Sequence, residues 1–228
     1  DYQRFQRTMF NLKCPLVFRS LKLQRFIVWP MIFARNLRYN RKNTWLKTVN
    51  RSISFVDSTP LRVCRNQRIL IHKTFEGLAE CGKCSMGWFF GFKLHLIIND
   101  KGEILNFMFT PGNVDDREPL KQGKFLENIK GKLYADKGYI GQALFGNLFL
   151  DGIQLVTKVK DNMKNSLMSI ADKILLRKRV LIETINDELK SIAQIEHSRH
   201  RSFNNFIANS LSAIAQHTAF LKRSPPLT

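Results

Sequence analysis

All twelve glycines of this 228-residue chain fall between Gly77 and Gly152. Glycine is what tight turns and close backbone approaches select, so its confinement divides the chain into three parts. The middle carries the short connections of a sheet, while the glycine-free tail reads as helix. Just ahead of the middle, Ile53 to Val56 predicts a short buried strand that meets Asp57 and a Ser-Thr-Pro turn. Gly91 to Ile98 and Ile104 to Thr110 predict two further strands, joined through Asn99-Asp100-Lys101-Gly102, which has hairpin-turn chemistry. A helix is expected to open at Asn113-Val-Asp-Asp-Arg-Glu-Pro, with acids in its first turn where the helix dipole favours them. Lys132 to Ala135 predicts a fourth strand, Ile140 to Leu150 a helix, and Ile153 to Val159 a fifth strand. Neither Pro nor Gly interrupts Asn165 to Gln194, where Ile170, Ile174, Ile182, Ile185 and Leu189 recur at helical spacing. A last helix is expected from Phe203 to about Leu221. This order predicts an α/β fold, a mixed sheet covered by helices.

Charge narrows the partners. Thirty-seven Lys and Arg against eighteen Asp and Glu leave +19, a field suited to a polyanion, with nucleic acid ahead of an anionic membrane surface. The longest apolar stretch, Phe26 to Ala34, is broken by Pro30 and falls well short of a spanning helix. Asp1 in place of Met suggests a fragment or processed chain, and no signal peptide follows. The expectation is an intracellular protein with no membrane partner. Cys14, Cys64, Cys81 and Cys84 suit a reducing compartment. The Cys81/Cys84 pair, flanked by His72 and His95 at nonstandard spacing, is a weak zinc signal against incidental thiols.

In so basic a chain the strand-end acids stand out. Asp57 ends the first predicted strand, Asp136 the fourth, and Glu183 lies midway along the late helix. Were the first and fourth strands neighbours, their ends would bring two carboxylates together, at a cost unless a cation lies between them. A divalent ion suits this, because Mg²⁺ prefers carboxylate oxygen and is readily shared with phosphate. Two such ions can activate a nucleophile and stabilise the leaving oxygen of phosphoryl transfer. Each acid also has a plainer reading: Asp57 and Asp136 as turn residues, Glu183 as a solvated helix position. Arg179 and Lys190 share Glu183's face, forming either a phosphate-binding stripe or a surface ion-pair ladder.

Five blocks carry a resemblance: Ile-Ser-Phe-Val-Asp-Ser-Thr-Pro-Leu (53–61), Ser-Met-Gly-Trp-Phe-Phe-Gly-Phe-Lys-Leu-His (85–95), Thr-Pro-Gly-Asn-Val-Asp-Asp (110–116), Ala-Asp-Lys-Gly-Tyr-Ile (135–140) and Ile-Glu-Thr-Ile-Asn-Asp-Glu-Leu-Lys (182–190). Ile-Glu-His-Ser-Arg-His-Arg-Ser (195–202) extends it. Together they resemble bacterial insertion-sequence transposases of the DDE class, and within that class the insertion sequence 982 family. The resemblance implies a ribonuclease-H-like catalytic domain over residues 53–221, between a basic segment (1–52) and a short tail (222–228). It implies a metal-binding catalytic triad of Asp57, Asp136 and Glu183, holding two divalent ions, Mg²⁺ or alternatively Mn²⁺. The Tyr-Arg-Glu-Lys signature of neighbouring families is matched by Arg179, Glu183 and Lys190, with Leu176 in the tyrosine position. The implied reaction is cleavage of double-stranded DNA at transposon-end repeats and transfer of the freed 3′ end into target DNA. The implied setting is a homodimer or larger assembly in the bacterial cytoplasm, associated with the nucleoid. The rivals are a hydrolytic nuclease on the same core and an inactive remnant that only binds DNA.

Three basic groups are candidates for phosphate contact: Lys158, Lys160 and Lys164; Arg177, Lys178 and Arg179; and His197, Arg199, His200 and Arg201. The plainer alternative is a solvated surface. Trp88-Phe89-Phe90 suits a base-stacking platform, although aromatics at a strand entrance more often fill a core. His95 reads as a core residue rather than a ligand, and Asp115 and Asp116 as helix caps rather than metal ligands. Of the eighteen acids only Asp1 precedes Asp57. That leading segment is either a DNA-binding lead-in or, between residues 15 and 51, a stretch rewritten by compensating frameshifts.

Overall fold

The computed structural model describes residues 53–158, 168–196 and 200–223. The basic segment 1–52, with Lys160, Lys164, His197 and Arg199, lies outside them. Six strands form one mixed sheet: β1 (Ile53–Cys64), β2 (Glu80–Cys84), β3 (Gly87–Asn99), β4 (Ile104–Pro111), β5 (Gly131–Ala135) and β6 (Ile153–Thr157). The strand order is β2-β3-β1-β5-β6, with β4 also paired to β3. β3 runs antiparallel to β1, β2 and β4, whereas β1, β5 and β6 are parallel.

β2 and β4 share one edge of β3, β2 along Gly87–Gly91 and β4 along Phe92–Ile98. Their junction needs glycine, because a Cβ on Gly82 would stand 2.1 Å from the Gly112 carbonyl oxygen. The β3–β4 hairpin turns as its sequence predicts. Asn99 Oδ1 accepts from the backbone N–H of Lys101 and Glu103 at 3.0 and 2.9 Å, and Gly102 takes a φ of +81°.

Among the described residues, five helices cover the sheet: α1 (Glu118–Lys121), α2 (Gln142–Leu150), α3 (Ile170–Lys178), α4 (Val180–Ser191) and α5 (Phe203–Arg223). Side chains alternate between faces along a strand, so adjacent β1 residues enter different cores. Phe55 joins Leu96, Tyr134, Leu176, Ile182, Ile185, Leu189 and Phe206 beneath α3, α4 and α5. Val56 joins Ile97, Leu133, Phe125, Leu144 and Leu148 on the face covered by α1 and α2. Among the described residues no helix is long and apolar enough to cross a membrane.

Several local expectations are corrected. β1 does not stop at Val56 but continues through Ser58-Thr59-Pro60 to Cys64, placing Asp57 within a strand. β5 pairs with β1 only over Ile53–Phe55; beyond that, no strand among the described residues pairs with that side of β1, so a proline without N–H is tolerated there. The helix expected at Asn113 is reduced to the single turn of α1. Asp115 and Asp116 do not cap it: Asp115 Oδ1 accepts from the Arg117 backbone N–H at 2.9 Å, and Asp116 pairs with Lys93 Nζ at 2.9 Å. The late helical stretch breaks at Arg179, which ends α3 and begins α4. β2 and a 3₁₀ turn at Asn66–Ile71 add to the expected elements.

Candidate active site

The β1–β5 register sets the first two acids side by side. Phe55 pairs with Tyr134 at the end of the parallel ladder, and Asp57 and Asp136 each lie two residues further along. A two-residue step returns a side chain to the same face, so both acids share the face of Phe55 and Tyr134, under α4. That helix docks through Ile182, Ile185 and Leu189, all buried. Its exposed side then carries Glu183 beside the two strand acids.

The three carboxylates meet at one cation. Arg179 Nη2 donates to Glu183 Oε1 at 2.6 Å, one helical turn away. The same guanidinium lies 3.7 Å from Asp57 Oδ1 and 3.6 Å from Asp136 Oδ1. Its side chain is only 14% exposed, against 49% for Asp136 and 48% for Glu183. Asn186, buried and one turn beyond Glu183, donates from Nδ2 to Asp57 Oδ2 at 3.2 Å, while its own Oδ1 is buried without a partner.

Asp57 titrates above the ordinary carboxylate range. Burial is the main cause raising its carboxyl to about 6, with Glu183 and Asp136 adding repulsion and Arg179 and the Ser58 backbone opposing. One guanidinium faces three acids, so the cluster carries surplus negative charge inside a strongly basic chain.

The donor set suits a hard divalent cation: three carboxylates on one centre, with a guanidinium standing where the ion's charge would be. As folded around Arg179, no group of three or more His, Cys, Asp or Glu among the described residues is close enough to hold an ion. Arg179 occupies the centre that the three carboxylates share.

The other sequence candidates are dispersed. Lys158 is exposed directly after β6, and Arg177 and Lys178 are exposed in the last turn of α3. Lys190 turns away from Glu183 toward Glu196, 4.0 Å distant. Arg201 is exposed, while the His200 ring packs edge-on against Phe206 with centroids 5.6 Å apart. His95 is buried on β3, with Nε2 2.8 Å from Thr110 Oγ1, and burial lowers it to about 4. Cys64, Cys81 and Cys84 are free thiols. Phe89 and Phe90 are core residues, as aromatics at a strand entrance usually are, but Trp88 is exposed.

Sequence reasoning missed Asn186. Its spacing of three from Glu183 places the two on neighbouring helix positions, but an Asn beside an Asp and a Glu is ordinary until β1 is brought against the helix.

A search of curated proteins gives no match. Among solved structures, the fold is similar to a cryo-EM structure of the piggyBac transposase synaptic complex with hairpin DNA, at a TM-score of 0.53 and 9% identity. The alignment covers 85% of this chain and 53% of that one, so this chain spans about half its neighbour's length. At that identity the likeness shows the fold alone, a ribonuclease-H-like mixed sheet flanked by helices. The family described as "Transposase DDE domain" matches residues 47–203, a span containing β1, β5 and α4 with all three acids. On that match, which takes in well over half of its length, the chain belongs to the transposase DDE domain family.

Proposed function

We propose that this chain cuts and rejoins DNA strands, with Asp57, Asp136 and Glu183 as its catalytic acids and residues 53–221 as its catalytic domain. The observation that carries the reading is the convergence of these carboxylates, from β1, the end of β5 and α4, on the Arg179 guanidinium. A structural ion pair has no need of three acids. Two bound Mg²⁺ or Mn²⁺ ions would polarise the scissile phosphate and acidify the attacking water or hydroxyl.

The chain's own residues orient and balance the charge. Asp57 is anchored by Asn186, which directs one carboxylate oxygen and leaves the other toward the shared centre. Arg179 holds the acids together until another cation relieves it. Its planar guanidinium is then free for a bidentate contact to a DNA phosphate. Exposed Lys158, Arg177, Lys178 and Arg201 extend the cationic surface for double-stranded DNA, joined in this reading by Lys160, Lys190, His197, Arg199 and His200.

The reaction is hydrolysis at a transposon end followed by attack of the freed 3′ hydroxyl on target DNA. The solved neighbour is a transposase in a synaptic complex with DNA, which supports DNA as the partner; a homodimer or larger assembly is part of the same reading, since two ends must be brought together. The sequence blocks of residues 53–61 and 182–190 favour the insertion sequence 982 branch, a bacterial setting and a place at the nucleoid.

The test is a labelled duplex carrying one end of the encoding element, incubated with full-length protein and Mg²⁺ or Mn²⁺, beside an EDTA control. Metal-dependent nicking and joining of the labelled 3′ end to a second DNA are expected. Nicking without joining would make the protein a nuclease. Retention of DNA with no cleavage would make it an inactive remnant.

A further inference from the structure

A second surface lies at the far end of the sheet. Trp88, the second residue of β3, is 63% exposed, whereas Phe89 and Phe90 after it are buried. The backbone that carries this exposed indole is held from two sides. On one side the antiparallel ladder sets Lys83 of β2 directly opposite Trp88, so the two side chains share a face. On the other side Asn66 Nδ2 donates to the Trp88 carbonyl oxygen at 3.0 Å, tying the 3₁₀ turn to the start of β3. That turn carries Arg68, with Arg65 at its cap. Met86, 81% exposed in the β2–β3 turn, extends the apolar surface.

The surroundings are cationic. Residues 62 to 88 carry Arg62, Arg65, Arg68, Lys73 and Lys83 against Glu76 and Glu80, with Glu196 accepting from the Arg62 backbone N–H at 2.8 Å. A second copy of this chain would bring like charge to like charge, so the patch is poorly suited to self-association. A flat ring amid lysine and arginine suits a base and its flanking phosphates. The DDE chemistry does not reach this end. β1 runs from Asp57 to Cys64, which pairs with Phe90, a separation of about 23 Å along the strand.

We propose that Trp88 is a stacking platform for an unpaired DNA base, with Lys83, Arg65 and Arg68 receiving the adjoining phosphates. Bases in a duplex have both faces covered, so the ligand is a single-stranded or frayed segment. Trp88 lies eight residues along β3 from Leu96, the partner of Asp57, so the platform stands about eight steps from the acids at the duplex rise of about 3.4 Å. The choice of DNA rests on the proposed function; the location and the stacking mode do not.

The experiment measures binding of a fluorescein-labelled 20-nucleotide single strand, and of its duplex, to the full-length chain in EDTA. Trp88→Ala should weaken single-strand binding by about 5- to 150-fold, while Trp88→Phe retains most of it. Lys83→Ala should lower the slope of log affinity against log salt by about 0.7. Duplex affinity should change by less than about twofold. Equal single-strand binding by Trp88→Ala would overturn the proposal, as would a change in its oligomeric state, which would make the patch a protein interface. An unchanged thermal melt excludes misfolding, and Asp57→Ala separates the two readings because it should bind the single strand normally. Lost cleavage in Asp57→Ala with unaltered Trp88→Ala binding sinks the platform alone. The converse leaves the platform and removes Asp57 from the catalytic site.

Discussion

Alternate residues of β5 serve two acid clusters on one face of the sheet, and the two are built in opposite ways. Lys132 Nζ and Tyr134 Oη donate to Asp172 Oδ1 on α3, at 2.8 and 2.7 Å, and Ser169 Oγ donates to Asp172 Oδ2 at 2.7 Å. The Asp172 backbone N–H returns a capping bond to Ser169 Oγ at 3.1 Å. Two residues beyond Tyr134, Asp136 instead joins Asp57 and Glu183 around Arg179. In the first cluster donors outnumber the acid. In the second, acids outnumber the cation.

The titration of the two follows this stoichiometry. Hydrogen bonds from Lys132, then Ser169 and Tyr134, hold the Asp172 carboxyl at about 2. Burial, reinforced by Glu183 and Asp136, lifts Asp57 to about 6 against the pull of Arg179. A carboxylate that staples a helix to a strand is fully satisfied. The carboxylate proposed for chemistry is left short of positive charge, and the fold bears the cost.

The largest effect expected is on cleavage. Replacing Asp57, Asp136 or Glu183 singly with Ala should lower the cleavage rate by about 10³-fold or more, leaving duplex affinity within a few fold. A variant that still cuts the labelled end would lose its place in the site.

Asp172→Ala should act on stability instead. It removes charge-assisted bonds and strands Lys132 and Tyr134, costing about 3 kcal/mol in urea denaturation. Cleavage per folded molecule should stay unchanged. Because the folded carboxyl titrates below its ordinary value, this contribution is present above about pH 4 and fades as pH falls toward 2. A variant as stable as the parent at pH 7 would break the comparison.

Asp57→Asn should stabilise the metal-free chain by about 2 kcal/mol at pH 7 to 8. The sign is opposite to that at Asp172, because a raised folded pKa penalises the ionised form. The penalty is complete above about 6 and disappears as pH falls below about 4. Melts of both proteins across pH 4 to 8 should therefore converge at the acid end. A constant gap would assign the gain to something other than charge.

The smallest effect sets the baseline. Glu118 and Lys121 form a surface pair at 2.7 Å with both side chains about half exposed. Removing it should shift stability by less than about 0.5 kcal/mol in the same denaturation series. A larger loss would mean that exposed pairs here behave like the Asp172 cluster.

Much of the sheet is legible from short-range signals. The hairpin at Asn99–Gly102 is local turn chemistry, and β4, β5 and the last helix follow apolar runs with clear ends. The continuation of β1 through Pro60 is not legible, because Ser-Thr-Pro has turn chemistry and a strand is permitted only because β5 does not pair with β1 there. The break at Arg179 is likewise hidden, since no proline or glycine marks it. Trp88 is visible in the sequence as an aromatic, but not as an exposed one.

The chain's own order of residues determined which acids were available. With none between Asp1 and Asp57 in a +19 protein, the carboxylates at strand ends are conspicuous in the sequence alone. It also determined where turns could form, because glycine is confined to one span. Tertiary structure alone decided that Asp57 and Asp136 stand level, since this depends on the β1–β5 register across nearly eighty residues of sequence. It alone decided that Arg179 is the cation among them and that Asn186 anchors Asp57, because both require α4 to dock on β1. Side-chain chemistry is local, but its charge balance is set by neighbours that only folding supplies.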